Sequence, residues 1–186
     1  MLDRGDFLPT ETPNYPSMGM LMCNKVEISC ITGKKSVDGK IFGDVKIKFI
    51  EGRSIKNLAN QSKYNRQPMN AVVSDCLFPI DKIKNTNYII LVEGIFDMLN
   101  MWQLGYKNTL CIFGASNFSK KKLTMIDRLG VTRVDIMMDP DAAGQMAATK
   151  IANSLDTKNI FSRIIKLPNG VDPGELTQRQ AENCLK

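Results

Sequence analysis

The sequence predicts an α/β protein, a four-stranded parallel sheet with interleaved helices, preceded by a small mixed β-rich subdomain. Three observations carry that expectation. Tyr88-Ile89-Ile90-Leu91-Val92 is an apolar, β-branched run that ends in an acidic corner, Glu93-Gly94 with Asp97 following. Arg133 to Met138 is a second such run, ending in Asp139-Pro140-Asp141-Ala142-Ala143-Gly144. Each run has the length and bias of a buried strand, and each is followed by apolar residues three and four apart, the period of a helix. In an open parallel sheet all strands end on one edge, so carboxylates far apart in sequence are expected to meet there.

The order of elements follows from the same signals. Residues 1–22, rich in Pro, Gly, Thr and Met without a period, read as an irregular lead-in. Residues 23–84 read as a basic β-rich subdomain. In it Val26 to Ile31 and Ile41 to Ile50 alternate like antiparallel strands, joined by turn-forming Gly33 and Asp38-Gly39. Lys46 and Lys48 are two apart and share one strand face, opposite Val45, Ile47 and Phe49. Gly52 to Met69 is polar and basic and reads as an exposed loop carrying Arg53, Lys56, Lys63 and Arg66, with Tyr64 among them.

From residue 85 to 186 strands and helices alternate. The expected strands are Tyr88 to Val92, Thr109 to Phe113, Arg133 to Met138 and Ile160 to Leu167. The expected helices are Ile95 to Leu104, Ser119 to Leu129 and Ala142 to Leu155, with Ser119 as a cap and Gly105 and Gly130 as stops. Such alternation implies right-handed crossovers. A loop from Pro168 to Leu176 and a short terminal helix complete the chain.

Composition limits the chemistry. The chain has 186 residues and no histidine, which removes Ser-His and Cys-His nucleophiles and His-bearing zinc sites. Five irregularly spaced cysteines form no disulfide framework and suit a reducing cytoplasm. No apolar run approaches the roughly 20 residues of a membrane span, and charges in Met1 to Asp6 argue against a leader. The net charge of +6 is concentrated upstream: Lys25 to Arg66 holds ten Lys or Arg against four Asp or Glu. A basic face with Tyr64 interleaved suits a polyanion whose bases can stack, or else a solvated surface.

Any catalysis must therefore rest on carboxylates, Lys, Arg or metal. Glu93 and Asp97, four apart at a strand-to-helix junction, lie one turn apart on one helix face. Asp139 and Asp141 flank Pro140, and Gly144 permits close approach of another backbone or ligand. Asp172-Pro173-Gly174-Glu175 adds acid after the last strand. Oxygen-only donors suit Mg²⁺ or Mn²⁺. A lone Asp before a helix is ordinarily its cap, so Asp141 alone is ambiguous. The clustering of several carboxylates is what favours a cation, because their repulsion must be offset.

These residues resemble a known family. Val92-Glu93-Gly94-Ile95-Phe96-Asp97 and Met138-Asp139-Pro140-Asp141-Ala142-Ala143-Gly144 resemble the two signatures of the Toprim domain, shared by bacterial-type primases, topoisomerases and some nucleases. Gly52-Arg53, Ser62-Lys63-Tyr64-Asn65, Cys76-Leu77-Phe78, Phe113-Gly114-Ala115-Ser116 and Asp172-Pro173 narrow the resemblance to the DNA primases of bacteria and phage. The pattern departs from the family at Gly174, where the family commonly carries another acid, and at Pro140 and Ala142.

The resemblance implies a Toprim-type, Rossmann-like domain and a primase polymerase core that makes short RNA primers on single-stranded DNA from ribonucleoside triphosphates. It makes Glu93 the catalytic acid, Asp139 and Asp141 the main ligands of Mg²⁺ or Mn²⁺, and Asp97 and Asp172 supporting ones. Arg53 and Lys63, with Tyr64, Asn65, Lys46 and Lys48, would contact template or nucleotide. No Cys-rich zinc module and no phosphate-loop helicase motor is legible. A separate zinc-binding template-recognition module and a replicative helicase are therefore the expected partners, in the cytoplasm of a bacterial or phage-infected cell. The alternatives are a Toprim nuclease or topoisomerase-like phosphoesterase, with Tyr64 or Tyr106 as a conceivable nucleophile, and a non-catalytic single-strand-binding module.

Overall fold

The computed structural model describes five strands of the upstream region and the chain from residue 72 to 186. The strands are β1 (Met18–Lys25), β2 (Lys35–Val37), β3 (Lys40–Phe42), β4 (Lys46–Ser54) and β5 (Tyr64–Gln67). The chain separates into two compact units, residues 1–23 with 47–71 and residues 24–46 with 72–186. In the first, a three-stranded sheet has the order β1-β4-β5, with β4 and β5 antiparallel and Arg53 opposite Tyr64. In the second, β2 and β3 form an antiparallel pair.

Three upstream expectations change. The lead-in read over residues 1–22 gives way to β1 from Met18, whose hydrogen-bond partner is β4 rather than any local pattern. The strand expected at 41–50 is two strands, β3 and β4, and β4 runs on through Ser54. The loop expected over 52–69 is in part a hairpin, since Arg53 lies on β4 and Tyr64 and Asn65 on β5. Ladder bonds form there despite the polar composition, because a strand needs a neighbour more than it needs apolar side chains. The strand expected at Val26 to Ile31 lies outside the described residues.

The parallel sheet follows the expected plan, with order β7-β6-β8-β9 and every pair parallel. Its elements are β6 (Tyr88–Val92), α1 (Ile95–Gln103), β7 (Thr109–Cys111), α2 (Lys120–Arg128), β8 (Arg133–Met137), α3 (Ala142–Asp156), β9 (Phe161–Ile164) and α4 (Gln178–Leu185). The Ser119 hydroxyl caps α2 by accepting from Lys122 N–H. β7 and β9 are shorter than their apolar runs, because both lie at sheet edges and lose pairing at their ends.

The core sits on one face. Ile89, Leu91, Leu110, Ile112, Val134, Ile136 and Met138 pack with Leu123 and Ile126 of α2 and Ala148, Ile151 and Leu155 of α3. Leu77, Ile80 and Ile83 join them, and Phe78 exchanges two backbone hydrogen bonds with Cys111, so the packing around this sheet begins ahead of residue 85. The alternate residues Ile90, Val92 and Met137 are also fully buried, toward the other face with Met98 and Met101 of α1. The chain moves one way from β6 to β7 and the other way from β7 through β8 to β9. Right-handed crossovers then send α1 to one face and α2 and α3 to the other.

One charged group is buried in this sheet. Asp135, fully enclosed on β8, accepts from Tyr88 Oη at 2.9 Å, from Arg163 Nη2 at 2.7 Å and from Arg133 Nη2 at 3.2 Å. These donors hold its carboxyl below the ordinary carboxylate range against the opposing effect of burial, while burial and the contact with Asp135 push the Tyr88 phenol up against the two arginines. A depressed acid stabilises above its unfolded value and loses that contribution as pH falls through the folded one. Asp135→Asn leaves two guanidinium groups facing an uncharged amide. Because both arginines are partly solvated, urea titration at neutral pH should show a loss of about 2 kcal/mol, by a lower midpoint at unchanged slope.

Candidate functional site

The site follows from the strand order. β6 and β8 are neighbours with Val92 opposite Met137, so Glu93 and Asp139 leave the same edge side by side. α1 and α3 depart from these two strands to opposite faces. That reversal opens a crevice at the carboxyl ends, the usual ligand position in such sheets.

The helix starts fix two acids. Asp97 lies in the first turn of α1, 8% exposed, and its Oδ2 accepts from Gly94 N–H at 2.7 Å. Asp141 caps α3, its Oδ1 accepting from Gly144 N–H at 2.7 Å. The cap role that the sequence left open for Asp141 is therefore real, and Asp139 is the acid of that pair turned away from capping duty. Gly144 closes the corner, for a Cβ there would lie 2.3 Å from the Asp139 carbonyl oxygen.

Asp172 arrives from the far end of the chain. Asn100 of α1 donates from Nδ2 to the carbonyls of Pro173 and Leu176 at 2.9 and 3.0 Å, which binds the trailing turn to α1. Asp97 Oδ1 and Asp172 Oδ1 then lie 2.9 and 3.3 Å from the point a Cβ on Gly174 would occupy. Asp172 Oδ1 is enclosed and has no hydrogen-bond donor among the described residues. Sequence reasoning missed Asn100, and its partners, 73 and 76 residues away, left no local signal.

Like charges dominate the electrostatics. Burial pushes the Asp97 carboxyl up to about 6 from its ordinary 3.8, the Gly94 N–H opposes this, and Asp139, Asp172 and Glu93 add to it. Glu93 is also raised, by burial and by Asp139 and Asp141, against a hydrogen bond from the Ala115 backbone N–H. The carboxylates influence one another without converging, for among the described residues no three acidic, cysteine or histidine side chains stand close enough to enclose one ion. Two of them are tied to helix N–H groups, and uncompensated negative charge favours separation. An all-oxygen donor set, an enclosed carboxylate oxygen without a donor and mutual repulsion fit a hard divalent cation, which would draw the set inward.

Of the other expected site residues, Arg53, Lys46, Lys48, Tyr64 and Asn65 lie on described strands, while their side chains and the whole of Lys63 lie outside the described residues. Tyr106 has its phenol raised by burial and by Glu182. That is the wrong direction for a tyrosine nucleophile.

Comparison with known proteins accords with this geometry. A family model described as Toprim-like matches residues 90–177, the span from β6 to the trailing acidic turn. This region resembles a Toprim-like domain. The chain resembles DNA primases more widely: it is 33% identical over 109 residues to a DNA primase of Chlamydia trachomatis, covering 59% of this chain and 18% of the relative. To a DNA primase of Myxococcus xanthus it is 26% identical over 149 residues, 78% of this chain and 23% of the relative. The chain thus spans less than a quarter of these curated relatives. Among solved structures, the Aquifex aeolicus primase, comprising zinc-binding and RNA polymerase domains, matches with a TM-score of 0.64 at 23% identity, over 76% of this chain and 37% of that one. The primase fragment of the bacteriophage T7 primase-helicase protein matches with 0.62 at 21% identity, over 76% and 59%. These two likenesses establish a shared fold. Among the described residues of this chain, no helix is long and apolar enough to cross a membrane.

Two outcomes test the geometry of the Toprim-like domain. An acid raised in the folded state costs stability above its folded value and ceases to do so below its unfolded one. In EDTA, Asp97→Asn should therefore unfold at a higher temperature than the parent at pH 7.5, by up to about 3 kcal/mol, with the difference vanishing toward pH 4. Gly144→Ala forces its Cβ onto the Asp139 carbonyl, so calorimetry should show a loss of roughly 2 kcal/mol or more, accompanied by weaker Mg²⁺ binding.

Proposed function

We propose that this chain is the catalytic core of a DNA primase, a nucleotidyltransferase that makes short RNA primers on single-stranded DNA for replication. The observation that carries this reading is the carboxylate set at the β6–β8 crevice of a Toprim-like domain, in a chain whose relatives are named DNA primase.

Asp139, Asp141 and Glu93 would hold Mg²⁺ or Mn²⁺, with Asp97 and Asp172 in support. When bound, such an ion supplies positive charge to the triphosphate and to the attacking and leaving oxygens. The chain's own part is positioning. β6 and β8 fix the spacing of Glu93 and Asp139, and the Asp141 cap anchors the second corner to α3. Glu93, its carboxylate met by the Ala115 N–H, would address the cation from the β6 side of the crevice. Phosphoryl transfer asks little more than this of a protein.

The basic upstream unit would hold template and incoming ribonucleoside triphosphate. Arg53, Lys63, Lys46 and Lys48 would meet phosphates, while Tyr64 and Asn65 address bases or sugars. Binding through phosphates makes affinity fall with salt. A replicative helicase and a zinc-binding template-recognition module would be partners, in the cytoplasm of a bacterial or phage-infected cell. The zinc-binding domain of the Aquifex protein and the helicase half of the T7 protein are consistent with that division of labour.

The test is product formation from labelled ribonucleotides on mixed-sequence single-stranded DNA with Mg²⁺ and then Mn²⁺. The parent should make short oligoribonucleotides. The Asp139→Ala, Asp141→Ala double variant should lose about 10³-fold or more while keeping its circular dichroism. Metal-dependent shortening of the DNA without ribonucleotide incorporation would instead identify a nuclease.

A further inference from the structure

The loop between β7 and α2 is held in an unusual shape at the edge of the site. Phe113, 4% exposed, has φ +63°. A bulky residue in the left-handed region is a true outlier and persists only where its surroundings over-determine it. Gly114 follows with φ +115° and ψ 146°, a region close to glycine's alone.

Everything around the loop fixes that shape. Asn117 reaches back and donates from Nδ2 to the Phe113 carbonyl, while its own N–H donates to the Gly114 carbonyl at 2.9 Å. The fully buried Lys122 of α2 donates from Nζ to the Ile112 carbonyl just ahead of the turn. A Cβ on Gly114 would press against Asn117 Nδ2 at 3.1 Å.

The consequence falls on one residue. Gly114 N–H donates to the Glu93 carbonyl at 3.0 Å, Cys111 Sγ lies 3.4 Å from that same oxygen, and Ala115 N–H donates to the Glu93 carboxylate. Two successive amides of the strained turn thus take hold of the backbone and the side chain of one acid. Such arrays of successive N–H groups grip anions.

We propose that the 113–117 loop is a rigid cradle that orients the Glu93 carboxylate for cation binding, and that Asn117 is the positioning residue that keeps the cradle in shape. Asn117 touches neither substrate nor cation. It acts through Phe113 and the two amides that follow, as outer-shell groups hold the ligands of other metal sites. The inference rests on the reading of the carboxylate corner as a divalent-cation site, and adds the element that aims one of its members.

The experiment is Mn²⁺ binding to the full chain, followed by electron paramagnetic resonance, for the parent, Asn117→Ala, Gly114→Ala and, as an exposed control outside the loop and the site, Asn153→Ala on α3. Asn117→Ala and Gly114→Ala should each weaken Mn²⁺ about tenfold, with Asn153→Ala within about twofold of the parent. In primer synthesis, the same two variants should raise the metal concentration for half-maximal rate and leave the rate at saturating metal closer to that of the parent. A merely structural role for Asn117 would lower the unfolding temperature and leave Mn²⁺ affinity intact. Parental Mn²⁺ affinity in folded Asn117→Ala overturns the proposal even where Gly114→Ala misfolds. A parent that binds no Mn²⁺ at all sinks the cation-site reading itself, which is a different failure.

Discussion

The pairing of β6 with β8, Val92 opposite Met137, is the constraint from which the rest of the site follows. It brings Glu93 and Asp139 to one edge although 46 positions separate them in the chain. It also fixes the departures of α1 and α3, hence where Asp97 and Asp141 can sit. The pairing is secured by burial: Ile89 to Val92 and Val134 to Met137 are all fully enclosed. A slip of one residue would exchange the side chains of the two buried faces and misfit the packing on both, so the register is well determined. The acids inherit their precision from apolar packing they do not share.

Against that stabilising frame stands a local penalty. Burial raises the proton affinity of Asp97 and Glu93, and the carboxylates around them raise it further. Asp135 shows the contrast within the same sheet. Its burial is just as complete, yet two arginines and a tyrosine meet it and its carboxyl stays ionised more readily than usual. Asp135 is met by two guanidinium groups, whereas the neighbours that shift Asp97 and Glu93 upward are carboxylates. The difference separates a structural acid from acids suited to an external cation.

The sequence made the parallel sheet legible because β6 and β7 fall in continuous apolar runs between clear stops, and the starts of α2 and α3 carry capping residues. The acidic corners were legible for the same reason: a carboxylate directly after such a run has only the sheet edge to occupy. Upstream, the signals were weaker. β1 is a run of unbranched residues without alternation, and β5 is Tyr-Asn-Arg-Gln, so both depend on partners that no local pattern announces. Within the site, Asn100 and the Ala115 amide were invisible for two different reasons. Asn100 acts over a separation of more than 70 residues, and a backbone N–H has no side chain to read.

The absence of histidine acquires a further meaning once Asp97 is seen to be buried. The side chain that ordinarily titrates between about pH 5 and 7 does not occur in the chain. Protons exchanged with solvent in that interval therefore come from carboxylates displaced from their usual values, with Asp97 foremost among the described residues. A cation bound at the crevice would expel such protons, and the heat of their capture differs between buffers. Asp97 would thus report such an event to calorimetry without any label.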